Sequence, residues 1–219
     1  MNRGEIRTQV LDALRDGGAV RWTSDEIDRY IDDGYRKICN TTGCLLATSN
    51  LPCAASEHFI TLPDDCLYPI AMRDVATGIP VDQVHWRFID AEDYLWIQKT
   101  STYPVYAAMW GLKKLIIHPA YAAAGSMELI YAQTPAAITS DATEPDFPVQ
   151  FHSALFYYAY SRALAKDADG PRLGRALRQM RYYEEQVAGI TQWMETKNEG
   201  VLQSVTGEVF RVPAHFWAR

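Results

Sequence analysis

The period of the apolar residues changes twice along this chain, and that limits the folds open to it. From Asn2 to about Asp16, Ile6, Val10, Leu11 and Leu14 recur every three or four positions, the stripe of a helix with one buried face. Asn2 followed by Glu5 is a capping-box pattern at its start, and Gly17-Gly18 stands where it should stop. A second helix is predicted from Thr23 or Ser24, with Thr23 and Glu26 repeating the box. Its stripe is Ile27, Tyr30, Ile31, Tyr35 and Ile38, with acidic residues on the opposite face. It runs out near Asn40, in the turn-rich NTTG.

From about Glu57 the period shortens to two. EHFITL, LYPIAMRDV, PVYAAMW, KLIIHP and SMELIYAQ are short, rich in β-branched and aromatic residues, and divided by Pro, Gly and Asp. Met127, Leu129 and Tyr131 alternate with outward candidates such as Glu128. AMWGLKKLII reads as a hairpin turning at Gly111 to Lys113. One short helix is predicted from Asp90 to about Gln98, with Asp90 as its cap. These segments predict an antiparallel sheet or small sandwich of about five or six strands.

The helical period then returns. Pro148 suits a first turn, and FPVQFHSALFYYAYSRALAKD is apolar on nearly every side, as a central helix would be. Gly170-Pro171 restarts a last helix to about Asn198, with Leu173, Leu177, Met180, Val187, Ile190 and Met194 on its stripe. Such a helix would be roughly 40 Å long. After Gly200 the tail VLQSVTGEVFRVPAHFWAR alternates apolar and polar residues through VLQSV and EVFRV, divided by Thr206-Gly207, so residues 201–219 are predicted as a short hairpin or two extended strands. A tail this rich in aromatics needs a surface to bury them on. The expected fold is therefore α+β. A bundle of about four helices, two N-terminal and two C-terminal, carries an inserted antiparallel β block and an extended C-terminal tail. The expected divisions are 1–50, 57–135, 146–199 and 200–219.

Little in the chain points to chemistry. With 48% hydrophobic and 22% charged residues it is globular, and no apolar run is long enough for a membrane span. The start reads as a charged amphipathic helix in place of a signal peptide, which predicts cytoplasmic synthesis and reduced cysteines. Cys39, Cys44, Cys53 and Cys66 lack zinc-knuckle spacing. No metal and no cofactor are expected. GxGxxG, Walker, HExxH and GxSxG patterns are absent. His58, His85, His118, His152 and His215 are scattered, and Asp64-Asp65 reads as a turn. A net charge of −6 argues against a dedicated nucleic-acid binder. Two other classes stay open: a small hydrolase or metal-dependent enzyme with a non-motif site, and an aromatic binding module using Trp86, Trp96, Tyr103 and Trp110.

The order of elements, together with particular stretches, resembles a known family. RWTSDEIDRYIDDGYRKI, ITLPDDCLYPIAMRDV, WRFIDAEDYLW, VYAAMWGLKKLIIHPA, MELIYAQTP, FPVQFHSALFYYAYSRALAKDAD and RYYEEQV are similar to the head-to-tail adaptor proteins of tailed bacteriophages, especially the tail tubular protein A type. The resemblance covers nearly all of residues 5–190, while the cysteines and the aromatic tail have no match in it.

The resemblance implies a structural virion protein and no enzyme. Such adaptors form a ring, typically of twelve subunits, at the virion neck. The ring joins the portal protein to the tail nozzle or tail tube and lines a channel that passes double-stranded DNA without specific binding. Assembly would take place in the bacterial cytoplasm, with no membrane involved. On that footing, Asp25, Asp28 and Asp32 are expected to pair with Arg172, Arg175 and Arg178 of a neighbouring subunit. Asp32 and Asp33 are candidates for the channel wall, where a basic lining would hold the duplex. Val209, Phe210, Arg211, Phe216 and Trp217 are the expected portal-docking residues.

Overall fold

A computed structural model of the chain describes residues 1–166 and 170–206. Among these, five α-helices and nine β-strands make the protein α+β. The chain divides into two compact units, one of residues 1–44 with the described residues from 137 onward, the other of Leu45–Ala136.

In the helical unit, α1 (Arg3–Leu14) begins with the capping box read from the sequence. The Asn2 side chain accepts from the Glu5 N–H at 2.9 Å, and the Glu5 carboxylate accepts from the Asn2 N–H at 3.1 Å. The helix stops earlier than Gly17-Gly18, at a left-handed Arg15 (φ 58°). The Asp16 carboxylate then gathers the N–H groups of Val20, Arg21 and Trp22, which shapes the turn into α2 (Ser24–Thr42).

Only half of the second capping box forms. Thr23 accepts from the Glu26 N–H, but the Glu26 carboxylate accepts instead from Tyr30 at 2.9 Å and from Lys166 at 2.7 Å. Ile27, Ile31, Tyr35 and Ile38 are buried as predicted, and Gly43 ends α2 in the left-handed region.

Pro148 precedes a short 3₁₀ turn (Val149–Phe151) and is not itself helical, so α4 starts at Ser153 and ends at Lys166. It packs against α1, α2 and α5 (Gly170–Thr206), the central place its all-round apolar surface predicts. A Cβ on Gly34 would come within 2.8 Å of the Tyr158 ring, so α2 and α4 approach closely only because this residue has no side chain. Helix α5 does not stop at Gly200. It runs 37 residues, about 56 Å, to Thr206. Residues 201–206 are therefore helical and not extended. Among its described side chains Ala176, Tyr183 and Ile190 are buried, while Leu173 and Leu177 are exposed. Of the predicted stripe, Ile190 is buried and Met180, Val187 and Met194 are half-buried, while its first two leucines face outward.

The β unit holds six strands of three or more residues: β1 (Leu46–Cys53), β2 (Phe59–Thr61), β3 (Cys66–Asp74), β6 (Tyr106–Trp110), β7 (Lys114–His118) and β9 (Gly125–Gln133). Three strands of two residues each, β4 (Asp82–Gln83), β5 (Thr100–Ser101) and β8 (Ala120–Tyr121), complete it. One sheet has the order β1-β9-β3, a second β2-β7-β6-β4, and β5 pairs with β8. The long pairs are antiparallel, but β4–β6 and β5–β8 are parallel.

Strand alternation builds two cores. Ala107, Leu115, Ile117 and Ile60 pack with Leu51, Met72, Met127, Leu129 and Tyr131 of the three-stranded sheet. Ala108, Ile116, Phe59 and Tyr106 point the other way, onto Ile89 of α3 (Trp86–Glu92) and onto Trp96. The short helix thus begins before Asp90, capped by His85, whose ring accepts from the Arg87 N–H at 3.2 Å. Gly111 (φ 68°) turns the β6–β7 hairpin where predicted.

Candidate interaction site

The residues singled out by charge fall into two groups. Asp28 and Asp32 lie on α2 beside its buried stripe, so they meet the elements packed there. Asp28 accepts from Arg7 at 2.7 Å and lies 3.7 Å from Arg3. Burial pushes its carboxyl above the ordinary value, against the pull of Arg7 and Arg3. The same two arginines hold Asp141, which Arg3 reaches at 2.7 Å and Arg7 through two hydrogen bonds. Hydrogen bonds from Arg7 and then Arg3 bring the Asp141 carboxyl down to about 2. Asp32 accepts from the Ile138 N–H at 3.0 Å and from Arg36 at 2.9 Å. The first N–H groups of α1 are satisfied from the same segment, Arg3 by the Thr143 carbonyl and Gly4 by that of Asp141. These aspartates hold the segment around residues 138–143 against α1 and α2.

Asp25 and Asp33 on α2, and Arg175 and Arg178 on α5, are exposed, while Arg172 is half-buried. Exposed apolar residues accompany those arginines, Leu173 and Leu177 on the same helix and Tyr182 and Trp193 further along it. The residues expected from the sequence to dock on the portal, Val209, Phe210, Arg211, Phe216 and Trp217, lie outside the described residues, as does His215.

Several of the carboxylates that could serve chemistry are committed within the fold. An open groove of about 610 Å³ is lined by Asn2, Gly4, Glu5, Thr8, Gln9, Asp141 and Ala142. Both of its carboxylates are committed, Glu5 to the cap and Asp141 to two arginines. Asp64 pairs with Lys113 at 2.6 Å, and Asp65 accepts from Tyr131 and Gln133. His58, His118 and His152 are buried. Among the described residues no group of three or more His, Cys, Asp or Glu could hold a metal ion, and no helix is long and apolar enough to cross a membrane.

The aromatics of the β unit pack on one another. Trp86 meets Trp110 edge-on at 5.5 Å, Phe59 meets Trp110 at 6.0 Å and Trp96 at 6.1 Å, and Tyr103 lies against the larger core. Edge-on contacts of this kind help fill a core, while Trp110 and Phe88 remain partly open to solvent. Exposed apolar side chains at Tyr94, Ile97 and Leu112 lie in the same unit. Tyr94 and Ile97 fall in the stretch predicted as a helix and Leu112 in the predicted hairpin turn, and the sequence singled out none of the three as exposed.

Both units carry exposed apolar side chains of the kind that protein neighbours cover. No curated protein matches the chain. A family model described as SU10 adaptor protein matches residues 1–204, which takes in both units and nearly all of α5. The chain belongs to the SU10 adaptor protein family, adaptors of the phage head-to-tail type.

Proposed function

We propose that this adaptor is the ring that joins the portal to the tail at the virion neck, with double-stranded DNA passing through its channel. Family membership across both units carries this reading. In a head-to-tail ring each subunit offers one surface to the neighbour on its left and a different one to the neighbour on its right. The exposed Asp25 and Asp33 on α2 and the exposed Arg175 and Arg178 on α5 are the candidates for pairing across such an interface. Exposed ion pairs contribute about 0–1 kcal/mol each, so they would set register, while Leu173, Leu177 and Trp193 supply apolar area. Asp28 and Asp32 are removed from this set because they are bonded within the chain. Asp33 remains the candidate for the channel wall.

The tail residues Phe210, Phe216 and Trp217 are the proposed anchors on the portal, since aromatics at an interface centre can each cost about 2 kcal/mol or more when truncated. Removing residues 207–219 leaves α5 whole to Thr206. The shortened protein should keep its helical circular dichroism and lose portal binding in negative-stain images. Rings of a dozen copies on the portal of the full chain are the expected result. Docking by the shortened chain would refute the tail's role, and failure of the full chain to join any portal would refute the connector.

A further inference from the structure

The two cysteines at the end of α2 face each other. Cys39 lies in the last turn of the helix and is fully buried, while Cys44 follows the left-handed Gly43 (φ 61°) and is half-buried. The Gly43 N–H donates to the Cys39 carbonyl at 2.7 Å, which folds the chain back over that turn. The result is a contact of 3.8 Å between the two Sγ atoms. A disulfide bond is about 2.05 Å long, so closure asks for rotation of two short side chains on a backbone already turned back. Cys44 is also the last residue of the helical unit before Leu45, where the β unit begins. Cys53 and Cys66 belong to the β unit, and Cys53 directs its S–H to the Leu51 carbonyl at 3.4 Å.

We propose that Cys39 and Cys44 are a peroxide-sensitive dithiol that closes into a disulfide and locks the last turn of α2 against the residues that follow it. Cys44 is the attacking sulfur because it is the one that solvent reaches. Once Cys44 ionises, the Cys39 S–H across the same contact favours its thiolate, which lowers Cys44 while it raises Cys39. The Cys44 thiolate attacks one oxygen of hydrogen peroxide. The O–O bond breaks, and the departing hydroxide takes up the proton that Cys44 released and becomes water. Cys44 is then a sulfenic acid. The Cys39 sulfur attacks the Cys44 sulfur, the S–O bond breaks, and the hydroxide leaves as water with the Cys39 proton. Two thiols lose two electrons and one peroxide gains them.

The test uses the full chain, folded and reduced. It is exposed to hydrogen peroxide, quenched with catalase, denatured and alkylated, and its mass is read intact and after fragmentation. The number of alkylated thiols should fall from four to two, with the new bond located between Cys39 and Cys44 and removed by a thiol reductant. Cys44→Ser should keep all of its remaining thiols after the same dose. Cys39→Ser should leave a sulfenic acid on Cys44 that dimedone traps. In the oxidised wild type, amide exchange around Thr41 to Cys44 should slow several-fold. Persistence of all four thiols, earlier reaction of Cys53 or Cys66, or further oxidation of Cys44 with Cys39 still free would each overturn the dithiol. Unchanged exchange in the oxidised protein would overturn the lock. These readouts do not depend on ring formation, so they stand or fall apart from the connector reading.

Discussion

In the helical unit, stretches far apart in sequence are joined by charged side chains. Arg3 and Arg7 of α1 reach Asp28 of α2 and Asp141, and Asp32 holds the Ile138 N–H. In the β unit the core joining is done by apolar side chains on both faces of one sheet, with polar links such as Tyr121 to Asp74 and Tyr131 to Asp65 added to it. Leu115 and Ile117 face one core and Ile116 the other. Burial of apolar area is worth about 25 cal/mol per Å² and depends little on salt or acid. Ion pairs near a surface give direction and register, and they weaken as salt rises or carboxylates protonate. The β unit should therefore be lost through cavities, and the helical unit should respond to lost charges and changed solution conditions.

Leu129→Ala is the strongest attack on the apolar side of this contrast. Leu129 is fully buried in the larger core of the β unit, and truncations of this kind cost about 2–5 kcal/mol. Hydrogen exchange should show lost protection in β1, β3 and β9. If the helices lose protection to the same extent, the two units do not differ in the way described.

Arg7→Met attacks the polar side. It keeps much of the side-chain volume but leaves Asp28, already pushed up by burial, and Asp141 with one arginine fewer. A half-buried charge left short of partners costs about 1–3 kcal/mol. Urea denaturation followed by circular dichroism should show the loss. The difference between wild type and variant should shrink in high salt, which no change in the β core would do.

What the sequence showed of this contrast depended on distance along the chain. The Asn2–Glu5 cap, the Thr23 cap and the Gly111 turn were legible because each closes within a few residues. The alternation of Met127, Leu129 and Tyr131 was legible because one strand carries it. Strand β1 was not, because Thr48, Ser49, Asn50 and Pro52 look like a loop. It is an edge strand, where Pro is tolerated and one face meets water. The ion network was not legible either, since Asp141 meets Arg3 and Arg7 across more than a hundred residues. Nothing local separates Asp28, which is bonded inside, from Asp25, which is exposed.

Glycines sharpen the comparison further. Gly34 on α2 and Gly125 in β9 both sit where a Cβ would strike a ring, that of Tyr158 at 2.8 Å and that of Tyr121 at 2.6 Å. Overpacking of this kind costs about 1–3 kcal/mol. In the helix, Ala recovers about 1 kcal/mol of backbone propensity over Gly, whereas the strand offers no such helical recovery. Gly125→Ala should therefore destabilise by about 1 kcal/mol more than Gly34→Ala in matched urea melts. Equal losses would mean that Tyr121 yields more easily than Tyr158.

Acid gives the gentlest test. The Asp141 carboxyl is held down to about 2 by hydrogen bonds from Arg7 and Arg3, against an ordinary value of about 3.9. A carboxylate lowered on folding adds stability that is fully present above its unfolded pKa. That stability is lost as pH falls through the window from about 4 to about 2. Asp28 runs the other way, because burial raises it and protonation relieves the folded state. Asp64 of the β unit is also lowered, by its hydrogen bond to Lys113, but both partners stand in solvent, which screens the pair. Asp141→Asn should therefore lower the melting temperature at neutral pH, and its deficit relative to wild type should close as pH falls from 4 toward 2. Asp64→Asn should change the melting temperature little at any pH. If the Asp141→Asn deficit is independent of pH, the segment around residues 138–143 is held by its backbone hydrogen bonds, and the ionic half of the contrast fails.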